Sequence, residues 1–393
     1  MMRFLILFIL LALVLCEGTE PLPGTTSEPA IAVDKDRLLA NTVLLAAFVV
    51  FRHGDRTPDQ DELDKFPSKE HYNDEIYFPY GKKALTNKGK QRAYLVGQYL
   101  RHRYNNTILS PMYLPDETYI QTTNYARTQM TVLTALAALF EPTPAQKWNP
   151  NLNWQPVPYD TPAYEDDDFL YYYQCQRYLR LREKVYVSPE FQEQMKPYEG
   201  LYKYLNKMFP ASNITTSEDV FYLDNLVQAL ENVGVPPPQW IVDYMPQIKE
   251  ITKIEYAAEF YNSEMIALSA GVLMDRILNA ATGIINGEEL PKLWLFSGHE
   301  NNVGAFMSAI RVFYVHQPQY GSTVSLELRK DLVTGRNSFL VVYAPEAGGP
   351  DMILPIRGCG GQALCDYETF VSLTREHRLS MTEYIRQCSI PIH

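Results

Sequence analysis

The 393-residue sequence lacks an unbroken apolar run of bilayer-spanning length. Its longest, Phe4–Leu15, falls short of the roughly 20 residues a transmembrane helix needs. It has no Gly-x-Gly-x-x-Gly fingerprint, no glycine-rich loop closing on Gly-Lys-Ser/Thr and no His-Glu-x-x-His pair. Nothing therefore implies a nucleotide cofactor or a metal. His71, His102, His316, His377 and His393 show no ligand spacing with one another or with the cysteines. A surplus of positive charge is missing too. The net charge of −11 argues against a general nucleic-acid binder. Internal repeats are absent, and low-complexity sequence is confined to the N-terminal segment.

Cysteine is scarce: five residues, of which Cys16 sits in what reads as a leader. Met1-Met2-Arg3 gives a cationic start, Phe4–Leu15 an apolar stretch, and Cys16-Glu17-Gly18 a small-residue cleavage region, so residues 1–18 are expected to be a signal peptide. No membrane anchor is implied. The remaining Cys175, Cys359, Cys365 and Cys388 allow two disulfides in an oxidising compartment. A local bond between Cys359 and Cys365 leaves Cys175 for Cys388. Sequons at Asn105 and Asn213 fit a secreted glycoprotein. Residues 19–36, rich in Pro, Gly, Ser, Thr and Glu, read as a flexible mature N-terminus.

Beyond that point the chain alternates. Val43–Phe51 is a short apolar run of the kind found in buried parallel strands. Thr86 to about Arg103 has helical spacing, Tyr119–Thr122 reads as a strand, and Arg127–Phe140 as the next helix. Phe169–Tyr261 looks helical throughout. Ser263–Ile285 is a further helix, Lys292–Ser297 a strand, and Asn301–Phe313 a helix. Val324–Leu328 and Phe339–Tyr343 read as a hairpin turning near Asp331–Gly335. The pattern predicts an α/β fold with a mainly parallel central sheet flanked by helices, formed by residues 37–155 and 262–393. A smaller α-helical domain is inserted over 156–261.

Ligands in such sheets sit beyond the carboxyl ends of strands. Arg52-His53, Arg127 and His299-Glu300 all fall at such ends, so three segments are expected to meet at one crevice. Arg52-His53-Gly54-Asp55-Arg56 places two guanidinium forks beside an imidazole. The forks match phosphate oxygens, and the cations disfavour imidazolium, leaving a nucleophile in acid. Gly54 is expected to let the backbone approach the anion. The acidic run Glu165–Asp168 reads as a solvated loop.

Arg52-His53-Gly54-Asp55-Arg56-Thr57-Pro58 resembles the signature of the histidine acid phosphatase family. Leu85-Thr86-Asn87-Lys88-Gly89, Arg127-Thr128, Trp148-Asn149-Pro150, Trp154-Gln155-Pro156 and the four cysteines extend the resemblance over about residues 38–390. It implies a phosphoglycerate-mutase-like fold, a phosphate monoester as small-molecule substrate and no cofactor. His53 becomes the nucleophile and Glu300 the proton donor, with Arg52, Arg56, Arg127 and His299 binding phosphate. A secreted chain, or one in the lysosomal lumen, and a homodimer are compatible with it. Two positions depart from the family pattern. Glu300 stands where aspartate is usual. The stretch before Arg127 reads Gln121-Thr122-Thr123-Asn124-Tyr125-Ala126, without the family's extra arginine and two carboxylates. The alternatives are a catalytically weak or silent phosphate-binding homologue and a phosphomutase.

Overall fold

The computed structural model describes residues 35–68, 74–163, 167, 169 and 174–389. The expected leader lies outside them. So does most of the 19–36 segment, whose last two residues open helix α1 (Lys35–Ala40). Next come β1 (Thr42–Arg52), α2 (Gln60–Lys65), α3 (Asn87–Tyr104), β2 (Thr118–Thr122) and α4 (Ala126–Leu139). The helical stretch holds α5 (Gln176–Tyr186), α6 (Pro189–Met195), α7 (Glu199–Met208), α8 (Ser217–Glu231) and α9 (Gln239–Glu259). The chain returns through α10 (Ser263–Ile285), β3 (Leu293–Gly298), α11 (Glu300–Ala309), β4 (Thr323–Asp331), β5 (Asn337–Ala344), β6 (Met352–Leu354), β7 (Leu364–Asp366), α12 (Tyr367–Leu373) and α13 (Met381–Cys388). Helix α11 stops short of the expected Phe313, just before Arg311 takes a left-handed φ of 63°.

The central sheet runs β2-β3-β1-β4-β5-β6, with β7 also on β5. The α/β sheet flanked by helices is as expected, but it is mixed. Only β2–β3 and β3–β1 pair in parallel, and every pairing from β1 outward through β4, β5, β6 and β7 is antiparallel. The tight turn between β4 and β5 forces that pair antiparallel, whereas helical crossovers allow the parallel half.

Strand β1 explains its own composition. Ala46, Phe48 and Val50 pack on one face with Phe296, Phe306 and Leu326. Ala47, Val49 and Phe51 pack on the other with Val96, Leu100 and Leu136 of α3 and α4. With both faces covered, the strand needs apolar residues at every position instead of alternation. Among the helices, Leu201, Leu205, Leu223, Val227 and Ile248 form a core that takes in Leu63, Phe66 and Tyr77 from the segment after β1. The helical layer is thus fastened to the loop that carries Arg56. Helix α10 is long and apolar enough to cross a bilayer by composition. Its Met274, Ile277 and Leu278 are instead buried in the sheet-side core.

Both expected disulfides form, Cys175–Cys388 and Cys359–Cys365. Of the acidic run Glu165–Asp168, only Asp167 is described, and it corrects the solvated-loop expectation. It is buried, its Oδ1 accepting the Phe169 amide at 3.0 Å. The Oδ1 contact fixes the backbone at Phe169, whose ring turns into the core.

His316 lies between Tyr314 and Tyr343. Nδ1 lies 2.7 Å from the Tyr314 carbonyl and Nε2 2.7 Å from the Tyr343 hydroxyl. Burial pushes its imidazole down to about 4, against a smaller upward pull from the Tyr314 carbonyl. The unfolded chain takes up a proton there below about 6.5 while the folded protein does not. This group's share of stability is therefore present above that value and lost as pH falls toward 4, by about 3 kcal/mol at most. His316→Gln is expected to lose less Tm than the wild type between neutral pH and pH near 4.5. Equal losses in thermal melts would refute the assignment.

Candidate active site

Strand register brings the site together. Arg52 of β1 pairs with Gly298 of β3, and Ser297 of β3 with Thr122 of β2. The ladder closes with His53 N donating to Gly298 O at 2.9 Å and Thr123 N to Ser297 O at 3.1 Å. His53, His299 and Thr123 are thus the first residues past one common edge. Helix α4 then starts at Ala126, placing Arg127 in its first turn, and α11 starts at Glu300 with His299 as its N-cap.

Gly54 has a different reason from the expected one. A Cβ there would lie 2.2 Å from the Gly89 carbonyl oxygen, and a Cβ on Gly89 would lie 2.2 Å from the Asp55 carbonyl oxygen. The two glycines let the loop after β1 press directly on the start of α3. Thr86 fixes the contact, its amide and hydroxyl both donating to Asp55 O at 2.9 and 3.1 Å. Gly54 serves the approach of protein backbone to protein backbone.

His53 is fully buried. Its Nδ1 lies 2.8 Å from the Gly54 carbonyl, which can only accept. Nδ1 therefore carries the hydrogen, and Nε2 holds the lone pair. Nε2 faces Arg127 Nε at 3.3 Å and Glu300 Oε2 at 4.0 Å. Burial, then the charges of Arg127, His299, Arg52 and Arg56, hold this imidazole well below its usual range. It stays neutral in mild acid. The sequence reading credited the cations, but desolvation is the larger cause.

His299 follows the same logic in mirror image. Arg127 Nη2, which can only donate, lies 3.4 Å from Nδ1, so Nε2–H points to Thr123 Oγ1 at 3.0 Å. Burial and the same three arginines keep it neutral as well.

The guanidinium groups are anchored by groups the sequence reading did not single out. Arg52 lies over the Tyr320 ring at 3.9 Å and donates to Pro318 O at 2.7 Å. Arg56 forms a two-pronged pair with Glu62. Arg127 donates to Asp59 Oδ1 at 3.3 Å and lies 4.7 Å over the Tyr125 ring. Asp59-x-x-Glu62 is a capping box at the start of α2, and that local pattern was readable. Tyr320 leaves no such trace. Besides Arg52 Nε, which sits against Glu300 without an aligned hydrogen bond, two donors, Arg52 Nη2 and Arg56 Nε, are buried with no hydrogen-bond partner. Orphaned donors inside a protein carry a desolvation cost of about 1–3 kcal/mol each, which an anion's oxygens would relieve.

Glu300 is buried beside this cluster, with Oε2 2.9 Å from Arg52 Nε and Oε1 3.3 Å from Asn225 Nδ2 of α8. Burial pushes its carboxyl up. Arg52 and Arg56, then its own helix-end amide and Arg127, outweigh that and hold it below the usual carboxylate range.

All six sequence-predicted residues, Arg52, His53, Arg56, Arg127, His299 and Glu300, therefore converge on one buried cluster. A family model described as histidine phosphatase superfamily (branch 2) matches residues 43–341. The chain belongs to this superfamily. Among similar proteins, the venom acid phosphatase Acph-1 of Apis mellifera is 30% identical over 330 residues, covering 83% of each chain. The prostatic acid phosphatase of Homo sapiens is 29% identical over 350 residues, 86% of each chain. The lysosomal acid phosphatase of Bos taurus is 26% identical over 350 residues, 87% of this chain and 79% of its own. Among solved structures, a Hafnia alvei phytase in complex with tartrate superposes with a TM-score of 0.65 at 15% identity, covering 90% of this chain and 100% of the phytase. That likeness shows the fold. Within the matched span, β1 delivers Arg52-His53-Gly54-Asp55-Arg56 to the sheet edge.

Proposed function

We propose that the protein is an acid phosphatase that hydrolyses phosphate monoesters through a phosphohistidine on His53. The observation that carries this reading is the fixed tautomer of His53. Its lone pair on Nε2 faces Arg127 and Glu300, with two unpaired arginine donors in the same cluster. The acid phosphatase names of the similar proteins support the same activity.

In the first step Nε2 forms a bond to phosphorus as the bond from phosphorus to the ester oxygen breaks. The leaving oxygen takes the electron pair and the proton of Glu300. Arg52, Arg56, Arg127 and His299 hold the non-bridging oxygens. In the second step water attacks phosphorus and gives a proton to the Glu300 carboxylate, and the electron pair of the phosphorus–nitrogen bond returns to Nε2. The neighbouring arginines favour the ionised form of Glu300. A bound phosphate cancels the arginine field that does so, and the carboxyl rises on binding. Below about pH 6 the monoester also arrives with a proton of its own. Activity is therefore strongest in acid and persists downward, because His53 resists protonation.

The helical stretch expected over 156–261 acts in this reading as the cap that selects the ester, since α8 already reaches Glu300 through Asn225. The leader-like start, the two disulfides and the exposed sequon at Asn213 favour a secreted glycoprotein, with the lysosomal lumen as the other oxidising or acidic destination. The test is p-nitrophenol release from p-nitrophenyl phosphate between about pH 4 and pH 7. An acid optimum is expected, with Glu300→Ala lower in kcat by about 10²–10⁴ on an alkyl ester such as glycerol phosphate. Absence of turnover in the folded wild type, with phosphate still bound, would replace the enzyme by a phosphate-binding protein.

A further inference from the structure

Glu300 does not end the hydrogen-bonded cluster. Behind it a chain of side-chain amides crosses from α11 to α8 and α9. Asn225 Nδ2 meets Glu300 Oε1 at 3.3 Å, Gln317 Nε2 meets Asn225 Oδ1 at 3.1 Å, and Gln228 Nε2 meets Gln317 Oε1 at 3.0 Å. Gln228 Nε2 also lies 2.9 Å from Asp224 Oδ1. Asp224 is fully buried and is held by Lys249 Nζ at 2.6 Å and the Thr252 hydroxyl at 2.9 Å.

The direction of every bond in this chain follows from its far end. An ammonium can only donate, so Asp224 Oδ1 accepts from Lys249 and Gln228 must present its amino group there. The second N–H of that amino group goes to Gln317. Gln317 then accepts with its oxygen and donates with its nitrogen, and Asn225 does the same one step on. Each amide has its two ends assigned by its neighbours, which settles the oxygen and nitrogen positions on chemical grounds. Glu300 Oε1 is left facing a donor that cannot reverse.

We infer that Asn225 is the positioning residue for Glu300, and that the amide chain behind it directs the carboxyl proton to Oε2. A proton on Oε1 would compete with the Asn225 N–H for that oxygen and weaken the hydrogen bond of a buried donor. Oε2 is the oxygen 4.0 Å from His53 Nε2. Its neighbour Arg52 Nε is in charge contact at 2.9 Å but makes no aligned hydrogen bond. Oε2 is therefore the oxygen free to hand its proton to a leaving group. Glutamate also has one more rotatable bond than the aspartate usual at this position, and tying down Oε1 removes that freedom before the substrate arrives. Asn225 touches no reacting atom in this account. The inference rests on Glu300 as proton donor.

The experiment compares kcat/KM for two monoesters, glycerol phosphate and p-nitrophenyl phosphate. The alkyl leaving oxygen needs a proton far more than the nitrophenolate does. Asn225→Leu keeps the heavy-atom count and branching and removes both hydrogen bonds. It is expected to lose about tenfold or more on glycerol phosphate and less than about threefold on p-nitrophenyl phosphate. Gln317→Leu, on a separate segment, is expected to show the same imbalance at smaller size, because Asn225 is then free to turn its amide over. Glu300→Gln is the control. If it shows the imbalance and neither other variant does, losing equally on both esters or not at all, Asn225 is merely packing and the inference is overturned. If Glu300→Gln itself loses equally on both esters, the proton-donor reading fails and takes the inference with it.

Discussion

Replacing His53 with alanine is expected to lower kcat by at least about 10⁴-fold while inorganic phosphate still binds. Nothing else in the cluster can replace the lost bond to phosphorus. The other imidazole, His299, has its lone pair turned toward Arg127 Nη2 and its N–H committed to Thr123. The arginines proposed to hold phosphate have anchors of their own. Arg127 is secured by Asp59, Arg56 by Glu62, and Arg52 by Pro318 and Tyr320, none of which depends on the His53 ring. Titration calorimetry with phosphate separates loss of chemistry from loss of the cradle. Labelled phosphate quenched in base, where a phosphorus–nitrogen bond survives, should appear on the wild type and not on the variant. Retention of more than about a hundredth of the wild-type rate would remove His53 from its assigned role.

The second large effect concerns stability. Cys175–Cys388 joins the residue before α5 to the last residue of α13 across a sequence separation of 213. Opening so long a loop in the unfolded chain is worth about 5 kcal/mol in the chain-entropy account, against about 2 kcal/mol for Cys359–Cys365 with a separation of 6. The larger figure approaches the whole stability of an ordinary domain, about 5–15 kcal/mol. Cys175→Ser paired with Cys388→Ser is therefore expected to shift the urea midpoint far more than the equivalent change at Cys359 and Cys365. Phosphatase activity should follow the folded fraction, since neither bond touches the site. Equal shifts for the two pairs would show that loop length is not what governs them.

Legibility varied with the reach of the signal. Arg52, His53 and Arg56 were readable because they are nearly contiguous and end an apolar run. Arg127 and His299-Glu300 were readable because each follows a short strand, and parallel strands in register stop at one line. Asp59 and Glu62 wrote a capping box into the sequence that points to a helix start, while their second task, pinning two arginines, shows only in three dimensions. Tyr320, Asn225 and Gln317 left no mark. Which face of α8 meets Glu300 is decided by how the helical layer settles on Leu63, Phe66 and Tyr77, and no local pattern encodes that docking. The sheet's mixed character follows the same division. The β4–β5 hairpin was legible from its turn, but its place beside β1 was not, so a sheet that is parallel on one side only was read as mainly parallel.

The glycine-on-glycine contact between Gly54 and Gly89 bears on how such a site can change over generations. A side chain at Gly54 is excluded by the backbone of Gly89, and one at Gly89 by the backbone of Asp55, the residue after Gly54. No compensating replacement at one can therefore make room for a larger residue at the other. Charges, caps and side-chain amides around His53 meet one another through side chains, so each can be exchanged with its partner. This pair cannot, and any lineage that keeps the loop seated on α3 must inherit both.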